Sequence, residues 1–223
     1  MKLVDAVRDK DRWKHTGKTL RYSLRCLTKP FDSFWDLTHE KRGSKSAATI
    51  ILIAVLAVNI LDLLYSSFVH REYPIDWNYV NIFMYMATIA VPLLFYVVGN
   101  WCLTTLFDGK GTMSDIYMGT CYALTPYVLI QLPLTFISNL VTDEEGVFIF
   151  YFQVFSLIWC GLLVLISVMM IHDFTLGKGL MALIFSIVAM MVIIFLIILF
   201  FSLITDAIAF FYSLYREISF RFY

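Results

Sequence analysis

The sequence predicts an all-α polytopic membrane protein, a bundle of five transmembrane helices behind a basic, amphipathic N-terminal segment. Of its 223 residues, 60% are hydrophobic, and the mean hydropathy is +0.77. A helix needs about 20 apolar residues to span the hydrocarbon core of a bilayer. Five stretches reach that length, and the predicted spans are residues 47–68, 80–107, 116–140, 147–171 and 180–204.

Charge is distributed unevenly along the chain. Residues 1–46 hold twelve Lys or Arg and six Asp or Glu, a balance of +6, whereas the other 177 residues hold five and eleven, a balance of −6. Basic residues beside a first span are typical of a cytoplasmic N-terminus. The sequence therefore predicts a cytoplasmic or interfacial segment at 1–46, a membrane domain at 47–204, and an aromatic, extracytoplasmic tail at 205–223. That tail either prolongs the fifth helix or lies along the outer interface.

The basic segment is predicted to contain two helices separated by Pro30. In the second helix, Phe31, Phe34 and Trp35 recur at positions i, i+3 and i+4, with basic residues nearby. Such a helix suits the headgroup layer, where each Lys or Arg gains about 1 kcal/mol from anionic lipids of the inner leaflet. Packing on the bundle's own inner surface is the alternative, and both can hold at once. The three aromatics are candidate contacts with lipid or a partner.

The third span is predicted to be kinked and central in the bundle. Pro126 and Pro133 lie seven residues apart, on nearly one helical face. Prolines inside a span free backbone carbonyls, which neighbouring helices, hydroxyls or water must satisfy. Tyr122 and Gln131 add polar groups to this span, and an interhelical hydrogen bond from Gln131 would be worth about 0.6 kcal/mol.

Asp62 is the one ionisable residue of the sequence that lies well inside a predicted span, three residues after Asn59. An ionisable residue at that depth suggests an ion or proton pathway by default. Asp62 lies in the outer third of its span, however, and no second carboxylate, Arg or His is at depth to complete a relay. A structural polar contact is therefore favoured, and a functional pathway stays open.

Gly-Lys-Gly sequences precede the third and the fifth span. Lys110 and Lys178 are followed by Gly instead of the Ser or Thr of a Walker motif, so neither predicts a phosphate loop. We expect both to lie in turns at the inner surface, with the lysines snorkelling to headgroups. His172, at the inner end of the fourth span, is a further candidate contact with a headgroup or a partner.

Catalytic and metal-binding patterns are absent from the sequence. The four Cys and four His are scattered, and there is no CxxC, HExxH or GxSxG. We predict no enzyme activity, no cofactor, no metal site and no nucleic-acid partner.

Several short motifs resemble the Yip-one family, the Ypt/Rab-interacting membrane proteins. Residues 109–127 are similar to the family's central segment, and residues 121–126 (Cys-Tyr-Ala-Leu-Thr-Pro) match its Gly/Cys-Tyr-x-Leu-x-Pro pattern. Residues 29–35 resemble the entry of bacterial members, and residues 172–178 match their later segment. The likeness covers roughly residues 20–205.

This resemblance implies a five-span fold, an inward N-terminus and a scaffold-like role. The chain lacks the long acidic or Gln-rich arm and the Asp-Leu-Tyr-Gly-Pro signature of eukaryotic members, so Rab binding is not carried over. It looks like a compact bacterial member of the plasma membrane, similar to accessory membrane subunits.

The leading functional hypothesis is a non-enzymatic membrane scaffold that binds other integral membrane proteins, such as transporter subunits, and anionic lipids of the inner leaflet. One alternative is a small transporter or channel subunit that uses Asp62 and Asn59. The other is a lipid-binding membrane protein in which Lys110, Lys178 and His172 meet phosphates.

Overall fold

A computed structural model describes residues 10–66, 80–107, 109–142 and 144–222. These residues form helices joined by short connections, and no strand occurs among them, which confirms the all-α prediction. Five helical segments are long and apolar enough to cross a membrane. The helices are α1 (Lys10–Thr28), α2 (Pro30–Thr38), α3 (Lys45–Tyr65), α4 (Ile82–Leu106), α5 (Met113–Ala123), α6 (Thr125–Ile137), α7 (Gly146–His172) and α8 (Leu176–Phe222).

The third span is broken into α5 and α6, as its prolines predict. Pro126 has no N–H to continue the ladder of α5 and lies in the first turn of α6. At the break, the Thr125 hydroxyl donates to the carbonyl of Tyr122 at 2.7 Å and satisfies a carbonyl near the end of α5. The span also starts earlier than predicted, at Met113, because Thr112 and Asp115 form a capping box.

The fifth span is much longer than predicted. Helix α8 has 47 residues, which corresponds to a length of about 70 Å at 1.5 Å per residue. It continues without interruption through the predicted tail, residues 205–222, so the tail prolongs the helix. The first span ends at Tyr65, earlier than predicted, and residues 67–68 lie outside the described part of the chain.

Helices α4 and α8 make the most extensive contact between described helices. They run antiparallel, since Gly99 lies beside Met190 and Phe107 lies beside Phe185. The Asn100 side-chain amide donates to the Ser186 hydroxyl at 2.9 Å, and both side chains are fully buried. Gly99 lets the helices approach, since a Cβ there would lie 3.3 Å from Met190. Small residues and interhelical hydrogen bonds are the usual means by which membrane helices associate.

The main core lies at the end of the bundle next to α1 and α2. We call residues 10–44 the head, and this end of the bundle the head end. Buried side chains of the head pack there against α3, α5 and α7. They form one cluster made of Cys26, Phe34, Leu37, Ala47, Ala48, Ile51, Met118, Cys121, Tyr122, Ala123 and Leu163.

The contact between Asn100 and Ser186 predicts a measurable coupling. In a double-mutant cycle with Asn100→Ala and Ser186→Ala, we expect a coupling energy of about 0.6–1.7 kcal/mol, the range for hydrogen bonds between membrane helices. Reversible unfolding in mixed micelles measures it. Strictly additive single changes would show that the two side chains do not interact.

Candidate functional site

The head docks on the bundle through one face of α2. Phe34 and Leu37 are buried in the main core, whereas Phe31 is 50% exposed and Trp35 is 43% exposed. The prediction that Phe34 contacts lipid or a partner is therefore wrong, because protein covers it completely. Phe31 and Trp35 remain available, and they border a surface depression together with Arg25.

Asp36 joins the parts of the head. Its carboxylate accepts a hydrogen bond from the Tyr22 hydroxyl at 3.0 Å and lies 3.4 Å from the Arg42 guanidinium and 4.0 Å from that of Arg25. Burial, and then this hydrogen bond to Asp36, raise the pKa of Tyr22 to about 12. Asp36 thus holds α1, α2 and the connection to α3 together.

A second carboxylate links the head to the two loops at the same end of the bundle. Asp173 has a left-handed backbone (φ 55°) directly after α7, a conformation that Asp tolerates better than most residues. It accepts a hydrogen bond from Lys110 at 2.8 Å, and it lies 3.7 Å from the imidazole of His39. The His39 ring in turn stacks on Trp35, with ring centroids 3.7 Å apart.

The His172 side chain packs against the loop between α4 and α5. It is only 2% exposed, and its Nδ1 accepts a hydrogen bond from the Gly111 amide at 3.2 Å. A Cβ on Gly109 would lie 2.7 Å from that same nitrogen, and one on Gly111 would collide with Ile171. The two glycines of this motif are therefore required by close packing, and His172 is not positioned to meet a headgroup.

The second Gly-Lys-Gly sequence does not form a turn. Gly177, Lys178 and Gly179 lie in the first turn of α8, and a Cβ on Gly177 would meet nothing within 4 Å. The prediction of two equivalent inner turns is thus wrong. The Lys178 side chain borders an apolar groove next to Phe107.

Asp62 joins α3 to α6 close to the ends of both helices. Its carboxylate lies 3.0 Å from the Thr135 hydroxyl, whose single proton is shared between this carboxylate and the carbonyl of Gln131. One turn further along, the Asn139 amide donates to the carbonyl of Tyr65 at 2.6 Å. These contacts give Asp62 and its neighbours a structural role in holding the two helices together.

The remaining predicted residues are separated along the bundle. Tyr122 is fully buried, and its hydroxyl donates to the Thr19 carbonyl of the head at 3.5 Å. Asn59 is half-buried in α3, and Pro133 lies inside α6. Among the described residues, the predicted residues Trp35, Lys110 and His172 lie near one another at the head end, through the contacts of His39, Asp173 and Gly111. Asp173, His39 and Asp36 were not among the predicted site residues.

The signal for Asp173 was weak. An Asp directly after a His at the end of a span indicates a helix terminus, but its partners lie far away in sequence, at positions 39 and 110. The contact with His39 depends on how α2 docks, and the contact with Lys110 depends on how the spans pack, and no local pattern encodes either.

The arrangement can hold helices and loops in fixed relation. Among the described residues, no group of three or more His, Cys, Asp or Glu is arranged to hold a metal ion. The fold, together with the contacts of Asp36 and Asp173 at the head end, defines a polytopic helical membrane protein whose head is packed onto the spans.

The comparison with family models identifies the family. The model of the Yip1 domain, the Yip-one family of the sequence motifs, matches residues 24–199, which is most of the chain. The chain therefore belongs to the Yip1 domain family. Neither the curated proteins nor the solved structures give a match.

Docking of the head predicts the reactivity of Cys26. Burial raises the pKa of this thiol from 9.0 to about 12, so at pH 8 its reactive thiolate is about a thousandfold scarcer than that of an ordinary thiol. We expect a soluble maleimide to label Cys26 slowly at pH 8, as followed by peptide mass spectrometry. Phe34→Ala should speed labelling at least about tenfold, because it removes a large side chain from the buried cluster that encloses Cys26. Phe31→Ala, on the exposed face, is the control, and equal rates in both variants would contradict this docking.

The glycines at the head end predict a contrast in stability. Gly111→Ala should lower the free energy of unfolding by about 1–3 kcal/mol, the usual cost of overpacking, since its Cβ would meet Ile171. Gly177→Ala should be neutral or slightly stabilising, because its surroundings are open and Ala favours helix. Thermal unfolding in detergent measures both, and a harmless Gly111→Ala would show that the loop does not pack closely.

Proposed function

We propose that this Yip1 domain protein is a non-enzymatic scaffold of the membrane and an accessory subunit of a larger membrane complex, such as a transporter. One observation carries the proposal. The last part of α8, residues 205–222, extends past its partner helix and has an apolar stripe that no other part of the described chain covers.

The pairing with α4 shows where the part of α8 that packs alongside α4 ends. The helices are antiparallel, and Asn100 lies opposite Ser186. The first residue of α4, Ile82, therefore lies near the level of residue 204 of α8. About 18 residues of α8 remain beyond that level, and at 1.5 Å per residue they extend about 27 Å further.

This extension lies past the bilayer if α8 crosses it from its first residue. Residues 176–204 span about 44 Å of helix, which matches the full thickness of a bilayer with its headgroups, about 40–45 Å. The exposed apolar residues before position 205 then face lipid, which covers them. Those after it face water unless another molecule covers them.

The extension is amphipathic. Ile208, Phe211, Tyr215 and Ile218 follow one another at spacings of three and four residues, so they share one face, and they are 64%, 67%, 71% and 49% exposed. Ser213 lies on the opposite face. A stripe of this kind is suited to pack against another helix, and large uncovered apolar patches mark interaction sites. We therefore assign the partner contact to this stripe.

The hypothesis of a small transporter or channel subunit has less support. It depends on Asp62, whose carboxylate accepts a hydrogen bond from Thr135 in a contact between helices. That contact explains a carboxylate at this depth without an ion pathway.

Site-specific photo-cross-linking tests the proposal in native membranes. A photoreactive amino acid at position 215 should cross-link to one defined integral membrane protein, and the same probe at position 213 should not. Tyr215→Asp in the otherwise unchanged chain should abolish copurification of that protein in mild detergent, while Ser213→Asp leaves it intact.

Three other outcomes would overturn the proposal. Cross-links from position 215 to phospholipid alone would place the stripe on the bilayer surface. Purification of the chain alone from its native membrane would show that it has no partner subunit. Cross-links from position 215 only to a second copy would show that the stripe binds another copy of the chain and no other protein.

A further inference from the structure

An apolar groove lies between the end of α4 and the start of α8. Its volume is about 240 Å³, and the rings of Phe107 and Phe185 stand 6.5 Å apart within it. Four α8 residues of its lining recur at i, i+3, i+4 and i+7 and therefore share one face. The groove is lined by Phe107, Phe174, Lys178, Met181, Ala182 and Phe185.

Lys178 supplies the only charge among the described residues that line the groove. Among the residues that the structure describes, Lys110 forms an ion pair with Asp173 at 2.8 Å, but no carboxylate lies within ion-pairing distance of Lys178. The two lysines therefore differ. Lys110 neutralises a protein carboxylate, whereas Lys178 has no ion-pair partner in the described part of the chain, so its charge is open to an external anion.

The position of the groove in the membrane indicates which kind of anion can reach it. Phe107 directly follows α4, and α8 begins at Leu176, so the groove lies where two membrane-spanning helices end at the head end of the bundle. At that depth, headgroups meet acyl chains. The groove is also smaller than the roughly 300–1,000 Å³ of a site that encloses a whole small molecule, so it accepts one chain segment while the rest of the ligand stays in the bilayer.

We infer that this groove binds an anionic phospholipid, with Lys178 at the phosphate and the first part of an acyl chain packed along the stacked rings of Phe107 and Phe185. The inference is independent of the partner contact proposed for the far end of α8. It also reduces the phosphate contacts of the lipid-binding hypothesis to Lys178, because Lys110 is paired with Asp173 and His172 is buried.

Native mass spectrometry of the full chain tests this site. The protein is placed in nanodiscs that contain equal amounts of phosphatidylglycerol and phosphatidylethanolamine, and retained lipids are counted after release. We expect retained phosphatidylglycerol to exceed retained phosphatidylethanolamine. Lys178→Gln should lower the affinity for phosphatidylglycerol about fivefold, equivalent to about 1 kcal/mol at 25 °C.

Two further variants separate the groove from general surface charge. Lys110→Gln removes the same charge and should leave retention unchanged. Met181→Trp fills the groove from an exposed position and should lower retention while Lys178 remains. Slow labelling of Cys26 in each variant checks that the fold is intact. Equal loss in Lys110→Gln and Lys178→Gln, no loss in Lys178→Gln, or no preference for phosphatidylglycerol would each overturn the inference.

Discussion

The enclosure of α5 is the constraint on which the rest of the structure depends. A Cβ at Gly119 would collide with the side chain of Ser167 of α7, so α5 and α7 pack closely at this point. On its other sides, α5 meets the head and α3 through Cys121 and Tyr122, which are fully buried. Because close contact between small residues replaces the hydrophobic effect inside a bilayer, this segment fixes the positions of the helices around it.

The enclosure of α5 divides the molecule into two unlike ends. At the head end, Asp36 holds the parts of the head together, and Asp173 joins the head to loops that are far from it in sequence. At the other end, α8 continues past α4 without support. The proposed scaffold role needs both properties, since a scaffold must hold its own helices and still present a surface for another molecule.

The sequence predicts the membrane fold well and the junctions poorly. Length and apolarity identify the spans, and Pro126 identifies the break in the third one. The burial of Phe34 was ambiguous, because an aromatic face suits lipid and protein equally. The length of α8 was readable in part, since no Gly or Pro occurs between positions 180 and 222, but an aromatic tail also suits the outer interface, so the sequence left both placements open. The pairing of Asp173 with Lys110 and His39 requires the tertiary fold.

Hydrogen–deuterium exchange of the full chain in nanodiscs tests the central claim, that the head is an integral part of the bundle. Residues 30–38 lie outside the spans but pack on them through Phe34 and Leu37, so their amides should exchange as slowly as those of the head end of α5. Exchange of this segment within seconds, as in a free helix in water, would show that the head is not docked and would contradict the account.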